Sequence, residues 1–328
     1  MKEIDFSIII PVGRKDFVIP CLRSIDKALK KQTCKVEVIL VGEKIDFHFK
    51  NLTRFSSFYL KKKHTSYRRN YGIKRALGKT LIFLDDDTLL TKDYFSRLNK
   101  LKRKKHQIIT GPTLPYTKNK RELITDILIS DYIGELRTAE KAKKDSETEF
   151  YNIYLCNVII NRKVFNDIGL FNEKIDYRMD DTEFFYRAQR KGIKAFYSKD
   201  LIVIHKRREF SGEFLGHIFI SRFYTGVNTI RHPEIMSSIQ GIRLVLSLIL
   251  SIPLFLYFLS LKRIIKTSLS LSISYVLFLF VVAFKKKNIK DRYILLPPAI
   301  FLTHLWVITG FISGIISGII NRKEYEYK

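Results

Sequence analysis

The feature that most limits how this chain can fold is a change in composition near residue 240. Residues 1 to about 240 alternate charged and apolar segments, whereas three long apolar runs follow at 241–261, 264–284 and 294–320. Each run is close to the ~20 apolar residues that a helix needs to cross a bilayer. We therefore expect a soluble domain over residues 1–235 and a membrane domain over 236–328, with two to three transmembrane or interfacial helices.

The third apolar run differs from the first two. Its Pro297–Pro298 pair interrupts a regular helix near the start, which leaves 299–320 as the helical part. Three glycines recur there at four-residue spacing, Gly310, Gly314 and Gly318. Such a stripe of small residues permits close helix packing in a membrane. The same segment is also compatible with a helix that lies in the membrane interface.

The flanking charges predict an orientation. The N-terminal sequence "MKEIDFSIIIPVG" has too short an apolar run for a signal peptide, so we expect the soluble domain to remain in the cytoplasm. Basic residues precede the first apolar run, and the basic segment 285–292 follows the second, as expected for a multi-pass protein of the inner (cytoplasmic) membrane. The basic loop 262–266 between these runs conflicts with a simple hairpin and leaves their topology open.

The formal net charge of +27 raises the question of a nucleic-acid partner. The basic residues are spread along the chain and show neither an aromatic RNA-binding pattern nor a recognition-helix signature. Solvated basic surfaces that favour anionic membrane lipids explain the excess better, and we expect no nucleic acid to bind. The three cysteines have no metal-binding spacing and are expected to be free thiols.

The soluble part predicts an α/β fold. Short apolar runs at 5–13, 35–43, 56–62 and 80–84 read as strands, and helical patterns separate them at 17–31 and 66–78. The second helix has Ser66 as its expected N-cap. This alternation is typical of βαβ units and a mainly parallel sheet. Ligands of such sheets bind beyond the carboxyl ends of the strands.

Three adjacent aspartates follow the strand at 80–84: Asp85, Asp86 and Asp87. Their mutual repulsion is unfavourable unless a cation binds there or the residues only form a turn and a helix cap. Carboxylates are preferred ligands of Mg²⁺ and Mn²⁺, which commonly bridge protein carboxylates to substrate phosphates. Residues alone leave both explanations open.

Three segments together resemble the family 2 glycosyltransferases, which have the GT-A fold. They are "SIIIPV" (7–12), "RRNYGIKRALGKTLIFLDDD" (68–87) and "GLFNEKIDYRMDDTEFFYRAQRKG" (169–192). The resemblance covers roughly residues 5 to 210. It implies a membrane-anchored enzyme with a Rossmann-like GT-A domain, a nucleotide-sugar donor, and Mg²⁺ or Mn²⁺ as cofactor.

The resemblance also implies roles for particular residues. Asp87 would hold the metal, and His205 would either ligate it or contact the diphosphate. The donor nucleotide would be bound by Pro11, Val12, Glu43, Arg69, Asn70, Asp85 and Asp86, and Asp85 would contact the nucleoside or help to position the metal. Asp181 fits the general base that removes the proton from the acceptor hydroxyl. Asn157, Asp180 and Glu183 would lie on the acceptor side.

One departure from the family pattern concerns the nucleobase. The family usually carries an aspartate after its second strand, but this chain has Gly42 there, followed by Glu43. Either Glu43 substitutes with a longer reach or the base is held in another way.

The leading hypothesis is an inverting, metal-dependent transferase that moves a sugar to a hydroxyl of a lipid-linked glycan or similar acceptor in cell-surface polysaccharide or glycoconjugate synthesis. Its alternatives are a polyprenyl-phosphate glycosyltransferase and a catalytically inactive membrane scaffold.

Overall fold

A computed structural model of the chain describes residues 3–61, 64–102, 106–117, 119–129, 144–148, 150, 153–175, 179–235 and 295–321. The first two apolar runs therefore lie outside the described residues. The chain divides into two compact units: the first comprises Met1–Tyr116 with Glu135–Lys206, and the second comprises Thr117–Gly134 with Arg207–Lys328. The predicted boundary at residue 235 stays a prediction.

The elements of the first unit alternate between strands and helices over most of its length. In chain order they are β1 Phe6–Pro11, α1 Lys15–Leu29, β2 Val36–Gly42, β3 Arg54–Tyr59, α2 Thr65–Arg75, β4 Thr80–Phe83, β5 Thr88–Leu90, α3 Tyr94–Lys102, β6 Ile108–Thr110 and β7 Thr113–Tyr116. After α4 Lys120–Ile127 of the second unit, they continue with β8 Ser146–Thr148, β9 Val158–Asn161, α5 Arg162–Ile168, α6 Asp180–Arg190, β10 Ala195–Tyr197 and β11 Val203–Lys206.

An eight-stranded sheet in the order β3-β2-β1-β4-β9-β6-β10-β8 forms the centre of the first unit. β1 is parallel to both β2 and β4, β2 is parallel to β3, and β6 is parallel to β10. Only β9 and β8 of these eight strands run antiparallel to their neighbours. The predicted α/β fold with a mainly parallel sheet is thus confirmed, and the third strand, predicted at 56–62, is β3 at Arg54–Tyr59.

Alternating residues of the central strands build a separate core on each face of the sheet. Phe6, Ile8 and Ile10 of β1 pack in one apolar cluster with side chains of α1 and α3. Ile9 points to the opposite cluster, which contains Phe184 and other residues of α6. Helices therefore cover both faces, which explains why the central strands read as continuous apolar runs.

A second sheet has three strands in the order β5-β11-β7. Its strand β5 directly follows the aspartates. β11 runs antiparallel to β5 and parallel to β7. Within the described residues, no disulfide bond joins Cys21, Cys34 or Cys156.

The helices α4, α7 (Gly212–Arg231) and α8 (Leu296–Ile320) share the apolar core of the second unit. α7 and α8 pack so closely that a Cβ at Gly310 would clash with the backbone of Phe219, and a Cβ at Gly314 with that of Phe223. Within the described residues, one helical segment, Pro298–Ile320, is long and apolar enough to cross a membrane, with a mean hydropathy of 1.9.

Two local predictions need correction. α8 begins at Leu296 and includes the proline pair in its first turn, where a missing backbone N–H leaves no intrahelical bond unmade. The N-cap of α2 is His64, and no side-chain cap bond forms there. The Ser66 hydroxyl instead donates a hydrogen bond to Asp180, from a distant part of the sequence.

Candidate active site

The predicted acidic cluster lies at the carboxyl ends of the central strands, where pairing in the small sheet brings in a distant segment. β4 ends at Phe83, two residues before the three aspartates. β11 pairs with β5 in a register that sets His205 opposite Thr88, which directly follows Asp87. This register places His205 beside the aspartates.

Asp85, Asp87 and His205 form a candidate metal centre. Their ligand atoms all lie within 4.8 Å of one another. His205 Nε2 is 3.0 Å from Asp87 Oδ1 and 3.8 Å from Asp85 Oδ2. Asp87 Oδ1 is buried, and no described residue gives it a well-aligned hydrogen bond. Two carboxylates and an imidazole, with one buried oxygen still unsatisfied, fit a divalent cation.

The electrostatics of this centre favour a positive partner for its carboxylates. Burial raises the pKa of Asp87, but the imidazole of His205 and the guanidinium of Arg14 outweigh it and hold that pKa well below its usual range. Burial lowers the pKa of His205, but the carboxylates of Asp85 and Asp87 outweigh it and raise that pKa to about 10. A divalent cation bound here would take the place of the imidazole proton.

Asp86 holds the loop that follows β1. Its Oδ2 accepts hydrogen bonds from the backbone N–H groups of Gly13 and Arg14, both at 2.8 Å. Arg14 Nη2 donates to Asp86 Oδ1 at 2.8 Å and to Asp87 Oδ2 at 2.5 Å. Protein donors therefore occupy both oxygens of Asp86, and this side chain fixes the shape of the loop.

Arg69 connects the two acidic clusters. Its guanidinium is buried, with Nη1 donating to Asp180 Oδ2 at 2.6 Å and Nη2 lying 3.8 Å from Asp85 Oδ1. The Ser66 hydroxyl donates to the same oxygen of Asp180 at 3.1 Å. Asp180 therefore accepts two hydrogen bonds from α2, and the start of α6 is fixed relative to the candidate metal centre.

Asp181 differs from its neighbour in having local contacts. Its Oδ1 accepts a hydrogen bond from the backbone N–H of Thr182 at 2.7 Å. Burial and the adjacent Asp180 carboxylate raise the pKa of Asp181 to about 7, against a smaller lowering by Arg69. A carboxylate with a pKa near neutrality suits a general base, because it accepts a proton readily and is still substantially ionised at neutral pH.

Asn70 and Glu183 fasten the third sequence motif. The Asn70 amide donates to the carbonyl of Phe171 at 2.8 Å and to Glu173 Oε1 at 2.7 Å, and its oxygen accepts from the Phe171 N–H at 3.0 Å. Glu183 is buried and accepts from Arg187 at 2.5 and 2.9 Å. Both side chains position the segment that carries Asp181.

Asn157 lies in the interior, with 1% of its surface exposed. Its oxygen accepts a hydrogen bond from the Tyr94 hydroxyl at 3.1 Å, and its amide donates to the carbonyl of Leu201 at 2.7 Å. Any contribution of Asn157 to acceptor binding is consequently indirect.

The remaining residues that were predicted to bind the donor nucleotide lie at the ends of the first two strands. Pro11 ends β1, and the N–H of the buried Val12 donates to the carbonyl of Val41 at 2.8 Å. Glu43 directly follows β2 and forms an ion pair with Lys15 at 3.2 Å. These residues share the strand-end edge with the aspartates.

Sequence reasoning missed Arg14 and Arg68. Arg14 bridges two of the aspartates, and Arg68 donates to the carbonyl of Val12 at 2.8 Å. A basic residue directly after the Pro11–Gly13 strand end was a usable signal for Arg14. Arg68 had no such signal, because it lies in α2 and its partner Val12 follows β1, far away in the sequence.

A family model matches the part of the chain that carries both acidic clusters. Residues 80–286, more than half of the chain, match the model described as glycosyl transferase family group 2. The chain belongs to this family, and the protein is a glycosyltransferase. The matched range contains the three aspartates, Asp181 and His205.

Solved structures give similarities at low identity. The chain is similar to TarS of S. aureus, residues 1–349, with 13% identity, a TM-score of 0.45, and coverage of 97% of this chain and 92% of that one. A structure of the same TarS fragment in complex with UDP-GlcNAc matches with 12% identity, a TM-score of 0.45 and the same coverage. GalNAc-T7 with UDP, GalNAc and Mn²⁺ matches with 13% identity and a TM-score of 0.47, over 74% of this chain and 53% of that one. A search of curated proteins returned no match.

Proposed function

We propose that the protein is an inverting, metal-dependent glycosyltransferase that moves one sugar from a nucleotide-sugar donor to an acceptor hydroxyl. The observation that carries this proposal is the link between the two acidic clusters through Arg69, which contacts Asp180 at 2.6 Å and lies 3.8 Å from Asp85. This link fixes the candidate metal centre, which we propose to bind the donor diphosphate, relative to the candidate base Asp181.

The residues divide the chemistry between them. Asp85, Asp87 and His205 would hold a divalent cation, which offsets the charge that develops on the departing nucleoside diphosphate. Arg14 lies against Asp86 and Asp87 and presents a second positive group at the same place. An imidazole in the donor set favours Mn²⁺ over Mg²⁺, because Mg²⁺ is bound mainly through oxygen ligands.

Asp181 would act on the acceptor. The acceptor oxygen forms a bond to the anomeric carbon, the bond from that carbon to the diphosphate breaks, and the hydroxyl proton passes to the Asp181 carboxylate. A single displacement of this kind inverts the configuration at the anomeric carbon. Asp180, held by Ser66 and Arg69, keeps the start of α6 in place for this transfer.

The acceptor is proposed to be a lipid-linked glycan or a similar membrane-bound hydroxyl compound. The apolar helix Pro298–Ile320 supports attachment to a membrane, and the family match extends to residue 286, through both earlier apolar runs. We place the catalytic unit on the cytoplasmic side of a multi-pass membrane domain, because basic segments flank the apolar runs.

The first test is nucleotide binding by the full chain in mild detergent. Nucleoside diphosphates and nucleotide sugars are titrated with and without Mn²⁺ while the melting temperature is read, since a ligand specific for the native state raises it. We expect a Mn²⁺-dependent rise with at least one nucleotide, and none in Asp87→Ala. If no nucleotide raises the melting temperature at saturation, the inactive-scaffold hypothesis replaces this proposal.

A further inference from the structure

The end of β2 has a backbone that accepts only glycine. Gly42 has φ of 134°, a conformation that residues with a side chain rarely adopt. A Cβ at this position would also clash with the carbonyl oxygen of Val12. No carboxylate can therefore stand at residue 42 without rebuilding both strand ends.

The guanidinium of Arg68 fills the space that a side chain at residue 42 would take. Its Cζ and Nη1 atoms both lie 3.1 Å from the position of that Cβ. Nη1 donates to the carbonyl of Val12 at 2.8 Å, which fixes the guanidinium against the end of β1. The Nε atom is buried and has no hydrogen-bond partner among the described residues. A side chain that can only donate hydrogen bonds therefore occupies this space.

Arg68 and the candidate metal centre lie on opposite sides of β1 along the same edge of the sheet. β1 pairs with β2, which ends at Gly42, on one side and with β4, which leads to the aspartates, on the other. Val12 and Gly13 connect the two sides, because Gly13 binds Asp86 and Val12 binds Arg68. A nucleotide with its diphosphate at Asp85 and Asp87 would extend its base across this loop towards Arg68.

We propose that Arg68 determines nucleobase specificity by donating a hydrogen bond to a carbonyl oxygen of the base. This inference rests on the proposed function, since it names the residue that would recognise the donor nucleotide at the same site. Uracil, cytosine and guanine carry such an oxygen on the base edge, whereas adenine carries an amino group instead. The donor is consequently a uridine, cytidine or guanosine nucleotide and not an adenosine nucleotide.

The test compares nucleotides with a probe that has no base. Affinities for UDP, CDP, GDP, ADP and inorganic pyrophosphate are measured by calorimetry in Mn²⁺ for the full chain, Arg68→Ala and Arg68→Lys. Lys74→Ala, an exposed residue on the same helix, is the matched control. In Arg68→Ala we expect the preferred nucleotide to bind about 10- to 100-fold more weakly, down to the level of ADP, as for one charge-assisted hydrogen bond. The affinity for pyrophosphate should stay within about twofold of that of the unaltered chain, a smaller change than the loss of one hydrogen bond would cause.

Three results would overturn the proposal. Equal losses for pyrophosphate and nucleotides would mean that Arg68 binds phosphate. An unchanged ratio between the preferred nucleotide and ADP would leave Arg68 only a structural role at Val12. If the unaltered chain binds no nucleotide with Mn²⁺, the proposed function fails as well, which separates that failure from the first two. Should Arg68→Ala not fold, the ratio in Arg68→Lys decides, because lysine keeps the charge but loses the planar fork.

Discussion

The two acidic clusters of the first unit are built alike. In each, one aspartate accepts hydrogen bonds that fix the backbone around the cluster, and we propose a chemical role for an adjacent one. Asp86 binds the N–H groups of Gly13 and Arg14, while Asp87 faces His205. Asp180 binds Ser66 and Arg69, while Asp181 contacts only its neighbour Thr182 in the hydrogen bonds of the described residues.

The clusters differ in the sign of the pKa change. Cationic partners lower the pKa of Asp87, so this carboxylate stays charged and suits a metal ligand. Burial and a like charge raise the pKa of Asp181 to about 7, so this carboxylate suits proton transfer. The residues around two identical side chains thus shift their pKa values in opposite directions.

The largest expected effect is the loss of the Asp87 carboxylate. Asp87→Asn should abolish Mn²⁺-dependent nucleotide binding and lower activity by at least about 100-fold, since even indirect partners of metal ligands cost 10- to 100-fold. Binding measured by calorimetry and activity by product analysis test this expectation. Asp46→Asn, at an exposed position, is the control. Retained metal-dependent binding in Asp87→Asn would remove the metal role from the first cluster.

The second cluster should respond in kcat rather than in donor binding. Asp181→Asn removes the proton acceptor and should lower kcat by about 10²- to 10⁴-fold while the donor affinity stays unchanged. Steady-state kinetics and nucleotide calorimetry separate the two quantities, with the exposed Asp167→Asn as control. An unaffected kcat would favour a phosphate acceptor such as polyprenyl phosphate, which is already an anion and needs no base.

The pH dependence should reflect the raised pKa of Asp181. The base works when ionised, so kcat should rise about tenfold per pH unit below a pKa of about 7 and level off above it. Because the folded-state pKa exceeds the unfolded value, Asp181 also lowers stability as pH rises from about 4 to about 7. Asp181→Asn should therefore remove the rise of kcat with pH. It should also raise the melting temperature more at pH 8 than at pH 4. A kcat limb retained in this variant would assign the ionisation to another group.

The smallest effect separates the two roles inside the first cluster. Asp86→Ala leaves the N–H groups of Gly13 and Arg14 without their acceptor and should destabilise the first unit by about 2–4 kcal/mol. Asp85→Ala, at a half-exposed position, should change stability by less than about 0.5 kcal/mol but weaken Mn²⁺ binding. Chemical denaturation without metal measures both. Equal destabilisation by the two variants would contradict the division of roles.

Much of the fold could be predicted because its signals are local. The apolar runs of β1, β2 and β4, and the helical patterns between them, lie within continuous stretches and predicted a mainly parallel sheet. The three motifs likewise identified the family and both acidic clusters. The prediction of Ser66 as an N-cap was wrong, because α2 begins at Thr65 and the Ser66 hydroxyl binds Asp180, far away in the sequence.

The sequence by itself determined that aspartates follow a buried strand, that a second acidic pair opens a helix, and that an apolar segment near the C-terminus is long enough for a membrane. Only the tertiary structure decided that Asp86 accepts the N–H groups of Gly13 and Arg14, that Asp180 accepts from Arg69, and that Arg68 fills the space beside Gly42. The physical reason is that strand pairing and helix packing set these contacts between distant segments, whereas residue patterns report only local preference.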